Sequence, residues 1–390
     1  MPVAYVCGDI VGSPGGAGAV TANELRALEE ALDMRCLVMD GKNILPPVYQ
    51  GLDLPFLQDY FVTVKLPYAS IQRKFNPECP WWDDRGEPRW ITNGGLTHVH
   101  FYSNGFSEAV SAAKRQGAIV TYTTPSHNPQ MSIQEYQKQA TLNEGPAYPH
   151  HHISNPSLYR LHSRGLLEAD LVIVPSTLSE DVVREIGVDR IKVIPHGTDL
   201  PETVPPMPEK FAVGYLGQIG PDKGLSYLIE AWSKLAYPDA VLMLAGWGTE
   251  RLEKMVRQYS GKGRFHLMGS VKEPGELFRQ VSIYCQPSTS EGFGISVVEA
   301  LAHGRPVVCS RGAGAADAVR EGIDGFTVPA GDTNALAEAI DSLRKDTKLS
   351  EAMAVSARDR AKEYSWDRIR AIYKETFRKL HHLDARRTEE

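Results

Sequence analysis

Short β-branched runs alternate with segments of helical spacing along most of this chain, which restricts it to parallel sheets covered by helices on both faces. The first runs are Val3 to Cys7, Arg35 to Met39, Thr97 to Phe101, Ala118 to Tyr122, Leu171 to Val174 and Lys192 to Pro195. Helical spacing falls between them at Thr21 to Leu32, Ser107 to Arg115, Pro156 to Glu168 and Ser179 to Ile186. A more regular series opens at Phe211 to Leu216 and continues through Ala240 to Ala245, Arg264 to Met268, Ser282 to Cys285, Pro306 to Cys309 and Gly325 to Val328. Between the two series, Leu200 to Pro208 holds four prolines, which lack the N–H that a ladder needs, so the boundary is expected there. The expected class is α/β: two doubly wound, Rossmann-like parallel-sheet domains facing a cleft, at residues 1–200 and 201–365. At residues 366–390 a helix striped by Trp366, Ile369, Tyr373, Phe377 and Leu380 is expected to return to the first domain. Beyond it, Asp384 to Glu390 reads as a polar, frayed tail. Ligands of such sheets bind beyond the carboxyl ends of the strands, which puts the default site in the cleft.

Composition closes off other classes. With 42% hydrophobic and 23% charged residues the chain is an ordinary folding sequence, and 390 residues at roughly 150 per domain allow two or three domains. The formal net charge of -6 supplies no cationic field, so nucleic acid is not an expected partner. The apolar N-terminal run has no basic flank and is interrupted by Gly8, Gly12 and Pro14, unlike a signal peptide. Nowhere do 18 apolar residues run together, which argues against a spanning helix and leaves peripheral membrane contact open. Five cysteines without paired spacing read as the buried, reduced thiols of a cytoplasmic protein. The segment Asn43 to Gly95 fits the alternation badly. With Trp81, Trp82 and Trp90 close together, it reads as either an extra hairpin layer or a partner-binding insertion.

The densest chemical signal is the stretch from Glu291 to Val308, which reads as a glycine-bounded turn, an amphipathic helix from about Ile295, and a buried strand. Gly292 and Gly294 permit close backbone approach, and the helix start offers free N–H groups to an anionic or hydroxyl-rich ligand. If all steps were helical, Glu291 and Glu299 would stand about 12 Å apart. That exceeds the roughly 5 to 9.5 Å of a glycosidase carboxylate pair, so the two should grip different parts of one extended ligand. A second signal is Gly217-Gln218-Ile219-Gly220-Pro221-Asp222-Lys223-Gly224, ending a strand and opening the helix Leu225 to Leu235. A lysine beside glycines at a helix start suits a diphosphate.

These motifs resemble the retaining, nucleotide-sugar-dependent glycosyltransferases of family 4 with the GT-B fold. The E-x7-E pair Glu291 and Glu299 sits in the expected EGFG context, and the resemblance extends through Leu244 to Gly248, Phe265 to Val271, Asp324 to Asp332, Ala169 to Ser176 and Val193 to Asp199. It implies that Glu299 holds the donor ribose, and that Glu291 with the backbone of Gly292, Phe293 and Gly294 holds the transferred sugar. It further implies that Lys223 binds the diphosphate and that backbone around Gly269 to Val271 contacts the base. Gly15 and Gly16 match the glycine pair that reaches the donor phosphate across the cleft, and His127 matches the histidine beside the transferred sugar. Gln218 departs from the family, which usually has an arginine there. Either Lys223 and another cation such as Arg311 suffice, or activity is slow, specialised or absent.

His150, His151 and His152 are adjacent and cannot converge on one ion, and Asp83-Asp84 lacks metal-chelating spacing, so no metal and no cofactor beyond the donor co-substrate is expected. The implied reaction moves a hexose-type sugar from a nucleotide-diphosphate sugar to a hydroxyl of a sugar, lipid-linked or small-molecule acceptor. Its rivals are a sugar-nucleotide epimerase or hydrolase of the same fold and a non-catalytic nucleotide-sugar-binding homologue. A nicotinamide dehydrogenase is disfavoured, since no GxGxxG follows a strand.

Overall fold

The computed structural model describes residues 3–7, 16–33, 36–39, 97–102, 107–124, 164–235, 237–246, 249–257 and 264–387. Two six-stranded sheets carry the fold. The first holds β1 (Val3–Cys7), β2 (Cys36–Met39), β3 (His98–Tyr102), β4 (Ile119–Thr123), β5 (Leu171–Val174) and β6 (Ile191–Val193), in the order β2-β1-β3-β4-β5-β6. The second holds β7 (Ala212–Leu216), β8 (Val241–Ala245), β9 (Phe265–Gly269), β10 (Ile283–Gln286), β11 (Val307–Ser310) and β12 (Gly325–Val328), in the order β12-β11-β10-β7-β8-β9. All pairings within the two sheets are parallel.

Parallel strands under helices on both faces must be apolar on both faces. Accordingly β3, β4, β10 and β11 are buried at every position, whereas the edge strands β6 and β9 keep half-exposed residues. Helices α1 (Gly16–Leu32), α2 (Ser107–Arg115) and α3 (Thr177–Glu185) belong to the first unit, together with a helical stretch at 164–168. The second unit has α4 (Leu225–Leu235), α5 (Thr249–Arg257), α6 (Gly275–Phe278), α7 (Ile295–Ala302), α8 (Thr333–Lys345) and α9 (Thr347–Ala361). Helix α10 (Trp366–Arg387) follows. Two core clusters line each sheet, one per face. In both sheets the strand order reverses beside the first strand, between β1 and β3 and between β7 and β10, which is where doubly wound sheets open a ligand crevice.

Several boundaries differ from the sequence reading. Helix α1 starts at Gly16 rather than Thr21, through a Gly-Ala-Gly-Ala turn that has no apolar periodicity to announce it. Helix α3 starts at Thr177 rather than Ser179, because the Ser176 hydroxyl accepts a hydrogen bond from the Ser179 N–H and caps the first turn. Helix α10 continues to Arg387, so residues 384–387 are helical rather than frayed.

The chain passes between the units at one place. Thr198, just after β6, pairs in parallel with Ser365, just before α10. The Thr198 N–H donates to the Tyr364 carbonyl at 2.8 Å, and the Trp366 N–H donates to the Thr198 carbonyl at 3.2 Å. From there α10 lies along α1, where the Tyr373 hydroxyl donates to buried Glu24 at 2.6 Å and Arg370 donates to Asn23 at 2.7 Å. The proline stretch is not a free linker. Buried Arg305 donates to the carbonyls of Pro205 and Pro206 at 2.9 and 3.1 Å and to that of Phe278 at 2.8 Å, fixing the segment to the second unit.

Candidate active site

The switch point of the second sheet brings two loops together. The loop after β7 forms a 3-10 turn over Pro221–Lys223, closed by Gly224 at φ +67°. A Cβ at Gly224 would sit 1.9 Å from the Pro287 carbonyl oxygen, so glycine is required for the two loops to meet. The Asp222 carbonyl accepts hydrogen bonds from the Thr289 and Ser290 N–H groups at 2.8 and 3.3 Å, stitching the β7 loop to the β10 loop. As a result Lys223 Nζ contacts the Glu291 carboxylate directly and stands 3.5 Å from Asp222 Oδ2. Burial opposes the lysine charge, but the two neighbouring carboxylates and the hydrogen bonds to them outweigh it and raise its pKa.

Glu291 is not on the helix. Its N–H donates to the Gly312 carbonyl at 2.9 Å and it bridges to Ala313, which leaves α7 to begin four residues later at Ile295. The 12 Å helical spacing to Glu299 therefore does not hold, since only the second half of the interval is helical. Gly294 adopts φ +98° and turns the chain into α7. Within the turn, Gly314 and Ala315 N–H groups donate to the Glu291 and Phe293 carbonyls, and none of these bonds uses the N–H of Gly292, Phe293 or Gly294. The first turn of α7 is braced from β10: the Tyr284 hydroxyl lies 2.6 Å from Gln286 Oε1 and 2.7 Å from Ser296 Oγ.

Glu299 lies on α7, half-buried, where loss of solvation followed by the nearby Asp199 charge pushes its carboxyl up to about 7. This is not a solvated helix carboxylate. Gln218 is half-buried, and its carbonyl accepts from the Tyr215 hydroxyl at 2.8 Å. Val271 packs against the core cluster of the second unit. Arg311, the substitute cation considered from the sequence, is exposed at the end of β11. Gly16 opens α1, while Gly15 and His127 lie outside the described residues, as do Trp81, Trp82, Trp90 and His150 to His152.

Some residues at the site had no role read from the sequence, although Ser176 and His196 lie in stretches that carry the family resemblance. His196, after β6, is buried, and its ring meets Phe293 edge-on at 5.2 Å between centroids. Burial pushes its imidazole down to about 4 against the opposing charges of Glu24 and Glu291, so it is neutral at neutral pH. Ser176 and Ser179 reach across from the first unit to the Gly292 carbonyl at 2.7 and 3.1 Å. Among the described residues no cluster of three or more His, Cys, Asp or Glu could hold a metal ion, and no helix is long and apolar enough to cross a membrane.

Two family models tile the chain: Glycosyltransferase Family 4 over residues 14–202 and Glycosyl transferases group 1 over residues 200–360. A phosphatidyl-myo-inositol mannosyltransferase of Mycobacterium leprae is 26% identical over 344 residues, covering 83% of this chain and 84% of that protein. Sucrose-phosphate synthase from Thermosynechococcus elongatus superposes with a TM-score of 0.72 at 19% identity, covering 98% of this chain and 100% of the other. The Anabaena protein HepE, solved in complex with UDP and glucose, superposes with a TM-score of 0.65 at 18% identity over 96% of this chain and 99% of its own.

Proposed function

From the premise that this chain belongs to the family 4 glycosyltransferases of GT-B fold, we propose that it transfers a hexose from a nucleotide-diphosphate sugar to a hydroxyl of an inositol-type acceptor, with retention at the anomeric carbon. One observation carries the donor half: a half-buried lysine from the β7 loop and a glutamate from the β10 loop meet at the switch point, beside a turn with N–H groups not engaged by its own backbone bonds. The acceptor class rests on the similarity to the Mycobacterium leprae mannosyltransferase.

Within this reading Lys223 faces the diphosphate, and its charge, kept by two carboxylates despite burial, stabilises the negative charge that develops on the leaving phosphate. Glu299 accepts from the ribose hydroxyls, and Glu291 with Gly292, Phe293 and Gly294 orients the sugar. The bond between the anomeric carbon and the phosphate oxygen breaks, the acceptor oxygen bonds to that carbon on the same face, and its proton passes to the departing phosphate. Lys223→Ala should lower turnover by on the order of 3 to 4 kcal/mol in the barrier, read from acceptor-dependent nucleoside diphosphate release. Unchanged turnover removes Lys223 from the mechanism.

Gln218 favours a second reading, a nucleotide-sugar-binding protein without turnover, because the neutral amide adds no charge beside the diphosphate. Tight binding of a nucleotide sugar with no product from any acceptor would establish it. New sugar species formed from donor alone would instead mark an epimerase or hydrolase.

A further inference from the structure

The Gly292–Phe293 peptide is held from the other unit. Ser176, which precedes α3, and Ser179, in its first turn, are both buried, and both hydroxyls donate to the Gly292 carbonyl, at 2.7 and 3.1 Å. A carbonyl oxygen has two lone pairs, so the two donors saturate it. The contact is close-packed: a Cβ at Gly314 would lie 2.1 Å from the Gly292 oxygen and 2.2 Å from Ser176 Oγ. One residue on, the Thr177 N–H and hydroxyl both donate to the Asp317 carboxylate at 2.8 Å, a second tie from α3 to the same region of the second unit.

A trans peptide points its C=O and N–H to opposite sides. With the Gly292 carbonyl held toward α3, the N–H of the same peptide, which belongs to Phe293, points away from α3. Phe293 is itself fixed, buried with its ring against His196 of the first unit. We propose that Ser176 and Ser179 are positioning residues that orient the Gly292–Phe293 peptide so that the Phe293 N–H meets the transferred sugar. The sugar subsite is then completed by the first unit without that unit supplying the contacting group. This rests on the donor reading above, in which the 292–294 turn holds the sugar.

The test compares the unaltered chain, Ser179→Ala and Ser176→Ala/Ser179→Ala by calorimetry with two probe pairs, UDP with UDP-glucose and GDP with GDP-mannose, alongside steady-state kinetics and melting temperature. Binding by neither pair to the unaltered chain overturns the donor reading and the proposal with it. Otherwise the double variant should hold the nucleoside diphosphate within about twofold of the unaltered chain, yet lose about tenfold in kcat and in the affinity gained from the sugar. Hydrogen exchange at residues 292–294 should quicken. Equal losses for nucleoside diphosphate and nucleotide sugar, or no loss for either in a folded variant, overturn the proposal. Ser176 also caps α3, so should the double variant not fold, Ser179→Ala decides, because it leaves the cap acceptor in place. The expected result there is a loss of about threefold in kcat relative to the unaltered chain, with melting unchanged, and an unaltered kcat overturns the proposal.

Discussion

Glu299 and Lys223 are charged side chains that burial acts on in opposite senses. The lysine keeps its proton because two carboxylates face it, while the glutamate, which loses solvation and faces the Asp199 charge, has its carboxyl pushed up to about 7. If Glu299 accepts hydrogen bonds from ribose, its ionised form binds better, and that form is lost as pH falls through 7. Affinity for a nucleotide sugar should then weaken between pH 8 and pH 6, and Glu299→Gln should give weaker binding that no longer varies over that range. Calorimetry across pH checks this, with the nucleotide sugar preferred because a terminal phosphate has its own pKa near 6. Binding of equal strength at pH 6 and pH 8 would detach Glu299 from the ribose. Glu291, Glu299 and Lys223 were legible in the sequence because loop chemistry forces glycines and charges into fixed local spacing. Ser176 and Ser179 were not, since their partner Gly292 lies more than a hundred residues away and a serine before a helix already has a reason to be there as a cap.

At the level of elements, the strand and helix alternation named both sheets, and errors stayed at the ends, where caps and glycine turns rather than periodicity decide. Strand β3 hides something the alternation did not show. His98 and His100 point into the fold and are fully buried, and both lie 2.7 Å from the Thr121 hydroxyl on β4. His98 also reaches His381 on α10 at 2.8 Å, and His100 Nε2 stands 3.4 Å from Glu24 on α1. Two aromatic contacts add to this, as the Phe377 ring meets both histidines edge-on. In sequence, two histidines in an apolar run read only as strand. Burial, then the neighbouring His381 and His100, holds the His98 imidazole well below its ordinary 6.5. The folded chain therefore keeps His98 neutral while the unfolded chain takes up a proton below pH 6.5, so this contribution is complete above 6.5 and lost as pH falls. Its loss amounts to at most about 1.4 kcal/mol per pH unit for one proton. Hydrogen-exchange protection along α10 should fall between pH 7 and pH 5.5, and His98→Gln should flatten that dependence. Protection independent of pH in the unaltered chain would show that His98 does not govern the docking of α10.

For the whole molecule, the two crossings of the chain are hydrogen-bonded to each other at Thr198 and Ser365, and Trp366 fills the space over Gly197, where a Cβ would lie 2.6 Å from the ring. Among the described residues both covalent connections between the units run through this paired segment, so a relative movement of the units bends it and also acts on the ties of α3 to Gly292 and Asp317. On the reading proposed above, the net charge of -6 gives an anionic donor no general attraction, and its binding is assigned to local groups, Lys223 and the N–H groups of a helix start. A two-unit architecture was legible because each sheet announces itself by local pattern. Which residues of one unit brace the other was not, because such contacts join segments that no spacing relates. The most direct measurement follows nucleoside diphosphate release and the product's anomeric configuration by NMR, with UDP-glucose or GDP-mannose, in the presence and absence of an inositol-type acceptor. The expected result is release that depends on the acceptor and a glycoside of the same anomeric configuration as the donor. Release at the same rate without acceptor, or an inverted product, would contradict it.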